Sequence, residues 1–329
     1  MTTYKDIRGT HIKTVTTDPP APVNGQMWYN STTKIMKGLT SNPAGAWATG
    51  GATNTGRQDL GGNGIQTAAL IYGGRTAPMT AVTESYNGTS WTEVNDLNTA
   101  RSGVQGLGTY TAALGAGGYK VSSPYMLAIV ESWNGTNWTE VADLGTARYN
   151  GIGSGTQTAG LYMGGRAGIP GPASANTESW NGSSWTEVGD LNTARFTIAG
   201  DGTQTSSIVF GGTPPGALAN TETWNGSSWT EVNDLTTARN NLGGGATDST
   251  AAVAFGGNEP GNSAKTEIWN GTNWTEDTDL NVARQKGASA GTEASALFSG
   301  GSVGSPAYST NTEEWTEAGA GVTRTFTDS

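Results

Sequence analysis

The chain has 329 residues, a formal net charge of −10 and 51 glycines, about twice the usual share of glycine. Because each glycine costs about 1 kcal/mol inside a helix, this composition excludes a mainly helical protein, and the acidic charge disfavours nucleic-acid binding. Cysteine is absent and His11 is the only histidine, which excludes disulfides, thiolate metal sites and multi-histidine metal sites, so we expect no metal and no cofactor.

Residues 1–45 are predicted to form an N-terminal arm with a small hairpin around Asn30–Thr33. The first residues lack the apolar core of a signal peptide, and no apolar run is long enough for a membrane helix. The arm carries five lysines and arginines against two aspartates, so its charge is +3 and that of the remaining 284 residues is −13. Opposite potentials orient an encounter, which predicts that the arm attaches the protein to a partner. The predicted attachment residues are Lys5, Arg8, Trp28 and Tyr29.

A repeat dominates the rest of the chain. Its clearest copy, T-E-S-W-N-G-S-S-W-T-E-V-G-D-L-N-T-A-R, spans 177–195, and near copies span 83–101, 130–148, 221–239 and 266–284. A Gly-Gly pair lies 16 or 17 residues after each repeated arginine. The pairs begin at Gly73, Gly117, Gly164, Gly211, Gly256 and Gly300. From Arg57 to Arg284 five intervals span 227 residues, about 45 each, so six pairs imply six units.

Each unit is predicted to hold four short antiparallel strands. Strand one follows the arginine, strand two runs into Gly-Gly, strand three is T-E-x-aromatic, and strand four starts at the second tryptophan. Asn-Gly between strands three and four is a strong hairpin signal, and the flanking aromatics can pair across it. A sheet of about 45 residues cannot bury both faces alone, whereas sheets stacked around an axis can.

The two ends of the repeat region are complementary. Trp315 matches the first aromatic of a unit but lacks a second tryptophan, and Trp47 lies ten residues before Arg57, as a second tryptophan should. We therefore predict that a strand at 46–50 completes the sixth unit. The alternative is a half-strand without a partner.

The apolar run, Gly-Gly, E-x-aromatic, tryptophan and arginine together resemble the kelch motif, and kelch repeats form β-propellers. The resemblance covers about 47–324, and it departs from most kelch units in having Asn-Gly after the first aromatic. It implies an all-β, six-bladed kelch-type propeller over 46–329, closed by the N-terminal strand.

Residues 23–37, V-N-G-Q-M-W-Y-N-S-T-T-K-I-M-K, resemble segments near the N-termini of structural proteins of tailed bacteriophages. With the near-identical repeats, the whole chain resembles kelch-type virion proteins of marine phages. That resemblance implies a non-enzymatic tail- or capsid-associated protein, present in several copies on the virion and made without a signal peptide. Its arm would bind other virion proteins, and its propeller would contact a host-surface glycan or receptor.

Nearly all length variation falls in the loops between strands two and three, which share one face of the predicted disc. Varied loops on a rigid scaffold suit recognition, although drift at tolerant positions explains them equally well. The candidate binding residues in these loops are Arg75, Tyr119, Lys120, Tyr125, Arg166 and Tyr308.

Repeated glutamates and arginines invite a catalytic interpretation. A glycosidase needs one carboxylate pair at one separation, so a sixfold repeat favours ion pairing between units instead. The repeated aspartates are interpreted as turn residues that bond backbone amides, and the N-G-[ST] triplets as turns rather than glycosylation sites. The remaining alternatives are a polysaccharide-degrading enzyme on a propeller scaffold, a purely structural decoration protein and a cellular interaction scaffold.

Overall fold

The computed structural model describes residues 12–20, 26–41, 44–304, 307–319 and 321–326, and the described residues form strands without helices. The chain divides into two compact units. Unit 1 comprises residues 1–46 with 317–329, and unit 2 comprises residues 47–316. The sequence predicts this boundary after residue 45 and predicts that the C-terminal residues belong to the repeat region.

The strands follow the predicted order along the chain. The first four are β1 (Lys13–Val15), β2 (Met27–Asn30), β3 (Ile35–Ser41) and β4 (Ala46–Thr49). Sheet 1 contains β5 (Gly61–Ile65), β6 (Ala68–Tyr72), β7 (Thr83–Tyr86) and β8 (Trp91–Val94). Sheet 2 contains β9 (Gln105–Gly108), β10 (Ala113–Ala116), β11 (Val130–Trp133) and β12 (Trp138–Val141). Sheet 3 contains β13 (Ile152–Gly155), β14 (Gly160–Met163), β15 (Thr177–Trp180) and β16 (Trp185–Glu187).

The next sheets repeat this plan, and two of them carry an extra hairpin. Sheet 4 contains β17 (Ala199–Gly202), β18 (Ser207–Phe210), β19 (Thr221–Trp224) and β20 (Trp229–Val232). Sheet 5 contains β21 (Gly243–Asp248), β22 (Ala251–Phe255), β25 (Thr266–Trp269) and β26 (Trp274–Glu276), with the hairpin β23 (Asn258–Glu259) and β24 (Gly261–Asn262) in its loop. Sheet 6 contains β27 (Ala288–Gly291), β28 (Ser295–Ser299), β31 (Thr312–Thr316) and β4, with the hairpin β29 (Ser302–Gly304) and β30 (Ala307–Tyr308) in its loop. The last strand is β32 (Gly321–Phe326).

Sheet 6 is completed by a strand from the other end of the chain, as the sequence predicts. The Trp47 ring lies 5.4 Å from that of Trp315, centroid to centroid, and its Nε1 donates to Thr266 Oγ1 in sheet 5 at 2.9 Å. In the contiguous sheet 2, Trp138 donates in the same way to the preceding sheet, through Thr83 Oγ1 at 3.1 Å. Trp47 therefore takes the full structural role of a second tryptophan.

The first strands of the six sheets contact one another in sequence, and β27 contacts β5, so they close a ring. A cycle of backbone hydrogen bonds runs beside these strands. Six residues, each two positions after a repeated arginine, have φ between +53° and +66°, and each N–H donates to the preceding member's carbonyl at 2.7–3.0 Å. We call this set the collar: Asp59, Gly103, Asn150, Thr197, Asn241 and Lys286. The cycle leaves none of these donors unpaired.

The predicted hairpins and aromatic pairs are confirmed. Trp133 lies directly opposite Trp138, with ring centroids 5.3 Å apart, and the other sheets pair their aromatics likewise. Asn134 Oδ1 accepts the backbone N–H groups of Thr136 and Asn137, which holds the turn, and Gly135 has φ +91°. Such a φ favours glycine over other residues.

The repeated glutamates and arginines form buried ion pairs, as interpreted from the sequence. Arg101 and Glu131 are fully buried partners, and Glu131 also accepts the N–H of Asn98 in the link from sheet 1. The same ion pair recurs in all six sheets of unit 2. Each pair therefore anchors an incoming link to the sheet that follows it.

The Gly-Gly pairs are required by backbone conformation and by space. Gly73 and Gly74 have φ +63° and +104°, and a Cβ on Gly73 would lie 2.8 Å from the Arg101 carbonyl oxygen. The Gly74 N–H donates to that same carbonyl at 2.8 Å. The pairs thus let each sheet bond the link that leaves it, and the crowding is against this link.

Unit 1 contains one four-stranded sheet, in the order β1-β2-β3-β32. The predicted hairpin is confirmed as the antiparallel pair β2–β3, whereas β1 pairs with β2 in parallel. Strand β32 pairs antiparallel with β3, so C-terminal residues complete the N-terminal sheet. The Asp18 carboxylate accepts hydrogen bonds from Trp28, Asn30 and Lys37, and these bonds, that from Asn30 foremost, lower the pKa of Asp18 to about 2.

Candidate functional site

Three of the predicted binding residues occupy equivalent positions beside the collar. Arg75, Tyr119 and Arg166 each lie two residues after the first glycine of a Gly-Gly pair. Each forms a β-bridge with the residue that follows a repeated arginine, and these partners are Gln58, Ser102 and Tyr149. Because those partners immediately precede collar residues, the three loop residues are brought close to the ring.

Aromatic and cationic side chains gather along one side of this face. The Tyr119 and Tyr149 rings lie 4.9 Å apart between centroids, and the Arg166 guanidinium lies 5.0 Å from the centroid of Phe196. Aromatic rings and guanidinium groups supply stacking surfaces with fixed geometry. We call Arg75, Tyr119, Tyr149, Arg166 and Phe196 the aromatic arc.

The opposite side of the same face has different chemistry. In sheets 5 and 6 the equivalent bridges join Asn240 to Asn258 and Gln285 to Ser302. These are amide and hydroxyl side chains without an aromatic ring. The face is therefore asymmetric, although the scaffold beneath it repeats.

The other predicted binding residues lie farther from the collar. Lys120 is half-buried, and its backbone N–H donates to the Tyr125 carbonyl at 2.9 Å, while the Tyr125 side chain is 55% exposed. The Tyr308 hydroxyl donates to the Thr76 carbonyl at 3.3 Å, which ties the loop of sheet 6 to that of sheet 1. Lys120 and Tyr125 therefore extend the arc outwards, and Tyr308 lies next to the Arg75 loop.

The sequence analysis missed the collar. Five of its six members, all except Gly103, line a cavity of about 120 Å³ that is bounded by residues of all six sheets. Burial raises the pKa of Asp59, and the positive charges of Lys286 and Arg75 oppose that rise. Burial and the nearby Asp59 carboxylate also raise the pKa of Tyr119, against the opposing charge of Arg75. These interactions join the collar and the arc into one site.

A second carboxylate lines the same cavity, at a different position. Asp201 is in β17, six residues after Arg195, and accepts the N–H of Gly202 at 2.8 Å. Burial raises the pKa of Asp201 to about 7, and the Gly202 hydrogen bond offsets only part of that rise. Among the residues that the structure describes, Asp201 forms no ion pair.

A signal for the missed residues is present in the sequence. The two residues after each repeated arginine vary, as in Gln58-Asp59 and Tyr149-Asn150, while Thr-Ala-Arg precedes four of the six positions and Thr-Gly-Arg or Val-Ala-Arg the other two. Variation in loop length does not reveal these residues, because they are substitutions in a link of constant length.

The attachment residues in unit 1 fall into two groups. Lys5 and Arg8 lie outside the described residues. Trp28 is 1% exposed and its Nε1 donates to Asp18 Oδ1 at 3.0 Å, whereas Tyr29 is half-buried on β2. In this conformation the Trp28 ring is enclosed, so Tyr29 is the more accessible of the two aromatics.

Comparisons with known proteins define the fold. The chain matches no protein family, and no curated protein matches it. Among solved structures, that of YjhT matches with a TM-score of 0.69 and 12% sequence identity, over 84% of this chain and 99% of that chain. At this identity the likeness concerns the fold alone, and together with the repeated four-stranded sheets it shows a β-propeller.

Two further observations concern the described part of the chain. It contains no cluster of three or more histidine, aspartate or glutamate side chains arranged to hold a metal ion. It also contains no helix of the length and apolarity that a membrane crossing would need.

Proposed function

We propose that this protein is a non-enzymatic recognition protein, a six-bladed kelch-type propeller that binds a saccharide on the face formed by the collar and the aromatic arc. The observation that carries the proposal is the arc itself: Tyr119 on Tyr149 and Arg166 on Phe196, next to the polar collar. Aromatic faces stack on sugar rings, and the collar offers a carboxylate, amides, a hydroxyl and an ammonium group for sugar hydroxyls.

The repeated acids support a non-enzymatic role. Each repeated glutamate of unit 2 is held by an arginine and by backbone N–H groups, so it is not free to transfer a proton. General acid catalysis needs a carboxyl group within reach of the substrate, and these carboxylates are buried in the scaffold. Binding without chemistry is the simpler use of such a site.

We further propose that the protein is a structural component of a virion of marine tailed phages, on the tail or the capsid and in several copies. The propeller would contact a host-surface glycan or receptor, and unit 1 would bind other virion proteins. The basic N-terminal arm and the near-identical repeats support this proposal. A purely structural decoration protein would use the same attachment but leave the arc unoccupied.

A glycan microarray of bacterial surface polysaccharides tests the recognition role. We expect the full-length protein to bind at least one polysaccharide, and Tyr119→Ala to weaken that binding at least tenfold, since aromatic anchors dominate such contacts. Tyr110→Ala is the control, because Tyr110 is 41% exposed in the turn between β9 and β10. Equal binding by wild type and Tyr119→Ala, or no binding to any polysaccharide, would contradict the recognition role.

Incorporation into particles tests the attachment role. A variant that lacks residues 1–45 keeps β4, and therefore keeps sheet 6 complete. We expect it to unfold cooperatively by circular dichroism but to be absent from purified particles by mass spectrometry. Normal incorporation of this variant would refute attachment through the arm.

A further inference from the structure

Every lysine and arginine of unit 2 that lies outside the buried ion pairs is on the face of the collar and the arc. Residues 47–316 contain eleven lysines and arginines, of which six form the ion pairs. The other five lie in the collar or in the loops between second and third strands: Arg75, Lys120, Arg166, Lys265 and Lys286. Of the seventeen acidic residues outside the ion pairs, only Asp59 and Glu259 lie in these segments. The segments therefore carry +3, in a chain whose net charge is −10.

Two of these cations, Arg75 and Lys286, lie in one cluster around Asp59. The Asp59 N–H donates to the Lys286 carbonyl at 2.9 Å. Arg75 exchanges backbone hydrogen bonds of 2.7 and 3.2 Å with Gln58, the residue before Asp59. The positive charges of both side chains act on the Asp59 carboxylate, which agrees with this backbone placement. Two positive charges and one negative charge leave the cluster with a local excess of +1.

The donors of this cluster are available to a ligand. Arg75 is exposed and Lys286 is half-buried, and neither side chain donates a hydrogen bond or forms an ion pair with a residue that the structure describes. Lys265 differs, because its ammonium group donates to Thr237 Oγ1 at 2.9 Å and lies 3.8 Å from Glu259 Oε2. Charged donors held on a fixed backbone are preorganised to bind an anionic oxygen group.

An aromatic ring lies next to the cluster. Tyr119 exchanges backbone hydrogen bonds of 2.8 and 3.0 Å with Ser102. The next residue, Gly103, is the collar member that donates to the Asp59 carbonyl at 2.7 Å. Tyr119 is therefore one step along the ring from Asp59, and the charges of Asp59 and Arg75 both act on its hydroxyl group. A sugar ring stacked on Tyr119 can thus extend a substituent towards the cluster.

We propose that the saccharide bound on this face is acidic: a sugar ring stacks on Tyr119, and its carboxylate or sulfate group binds Arg75 and Lys286. This inference rests on the proposed recognition role and names the chemical class of the ligand. A guanidinium group pairs with such an anion through two parallel N–H bonds, and the ammonium group adds a point charge. The Asp59 carboxylate accepts a sugar hydroxyl. A neutral saccharide would leave both cations without a partner.

A microarray of neutral and acidic bacterial surface polysaccharides tests this inference, with each acidic polysaccharide printed beside its carboxyl-reduced or desulfated form. We expect the full-length protein to bind an acidic polysaccharide most tightly and its neutralised form at least about tenfold more weakly, because charge-assisted hydrogen bonds are lost. The two kinds of neutralised form show whether the bound group is a carboxylate or a sulfate. Equal binding of a neutralised form, or tightest binding of a neutral polysaccharide, would overturn this inference and leave the recognition role intact. Absence of binding to every polysaccharide would contradict the recognition role itself.

Two substitutions assign the effect to the cluster. Arg75→Asn and Lys286→Asn each introduce a residue that another sheet already carries at the equivalent position, Asn258 and Asn150, so both variants are expected to fold. Thermal unfolding checks that they do. Each should weaken binding of the acidic polysaccharide at least about fivefold, since each removes a charge-assisted hydrogen bond. Unchanged affinity in both variants would refute the proposal.

A matched control separates this cluster from a general attraction between charges. Lys265→Asn removes the same charge from the same face, and Asn176 stands at the equivalent position, where its carbonyl likewise accepts a glycine N–H. This control should leave the affinity within about twofold of wild type. The proposal is wrong if Lys265→Asn weakens binding as much as Arg75→Asn, or if double-stranded DNA binds as tightly as the acidic polysaccharide.

Discussion

The two faces of unit 2 differ in what their residues do. On the face of the Asn-Gly turns, Asn87, Asn134, Asn181, Asn225 and Asn270 all accept the same two backbone N–H groups. On the face of the collar and arc, equivalent positions carry Arg75, Tyr119, Arg166, Thr213, Asn258 and Ser302. Residues that repeat have a structural role in every sheet, whereas residues that vary are free to make a site.

Among the residues that repeat in every sheet, we expect the largest loss of stability from a substitution at the strand that closes sheet 6. Trp47→Ala should lower the free energy of unfolding by about 3–5 kcal/mol, because it removes a buried ring that contacts Phe255 and Trp315. Urea unfolding measures this loss, with Trp138→Ala in sheet 2 as the reference. Similar losses would show that the closing strand counts as fully as a contiguous one, and a Trp47→Ala loss below 1 kcal/mol would contradict closure.

The buried ion pairs are expected to give the second largest loss of stability. Glu131→Gln leaves Arg101 buried without its carboxylate partner and should destabilise by about 3 kcal/mol in chemical denaturation. Glu140→Gln is the matched control, because Glu140 lies directly opposite Glu131 in the sheet yet is exposed. We expect the control to change stability by less than about 0.5 kcal/mol. Equal effects of the two substitutions would show that the ion pair does not anchor the link.

One sheet lacks a repeated hydrogen bond, which offers a stabilising test. Elsewhere the second tryptophan donates to a threonine of the preceding sheet, but Val130 occupies that position in sheet 2 and the Trp185 Nε1 has no partner. Val130→Thr should therefore raise the free energy of unfolding by about 1 kcal/mol. Differential scanning calorimetry detects the gain, and it should vanish in a Trp185→Phe background. Destabilisation by Val130→Thr alone would refute the missing bond.

The smallest expected effect is on the pH dependence of stability, and it comes from Asp59, one of the residues that vary between the sheets. Because burial raises the pKa of Asp59 in the folded protein, the folded state binds more protons than the unfolded state above about pH 3.8. The stability that Asp59 contributes at low pH is therefore lost as pH rises. The positive charges of Lys286 and Arg75 make this loss smaller. Asp59→Asn, which matches Asn150 and Asn241 in the collar, should flatten that part of the profile of thermal midpoint against pH. An Asp59→Asn profile parallel to wild type would contradict the raised pKa.

The repeat made much of the fold predictable. Spacing alone located four strands per unit, the Asn-Gly hairpins, the cross-strand aromatic pairs and the partnership of Trp47 with Trp315, because each depends on local chemistry or on a fixed count of residues. The ion pairing of the repeated glutamates also followed, since a sixfold feature cannot build one asymmetric site. Three loop residues beside the collar, Arg75, Tyr119 and Arg166, were reached from loop variation.

Other features depended on the tertiary structure. The pairing of β32 with β3 joins residues 280 to 290 positions apart with no repeat to relate them. The collar arises where six links meet in a ring, so its polar side chains become neighbours only after closure. Likewise Asp201 resembles any strand aspartate in the sequence, and only the structure shows that it lines a cavity where its equivalents Asn63, Leu107 and Ala290 are uncharged. Local propensity determined the sheets, whereas long-range packing decided which of their exceptional residues share one site.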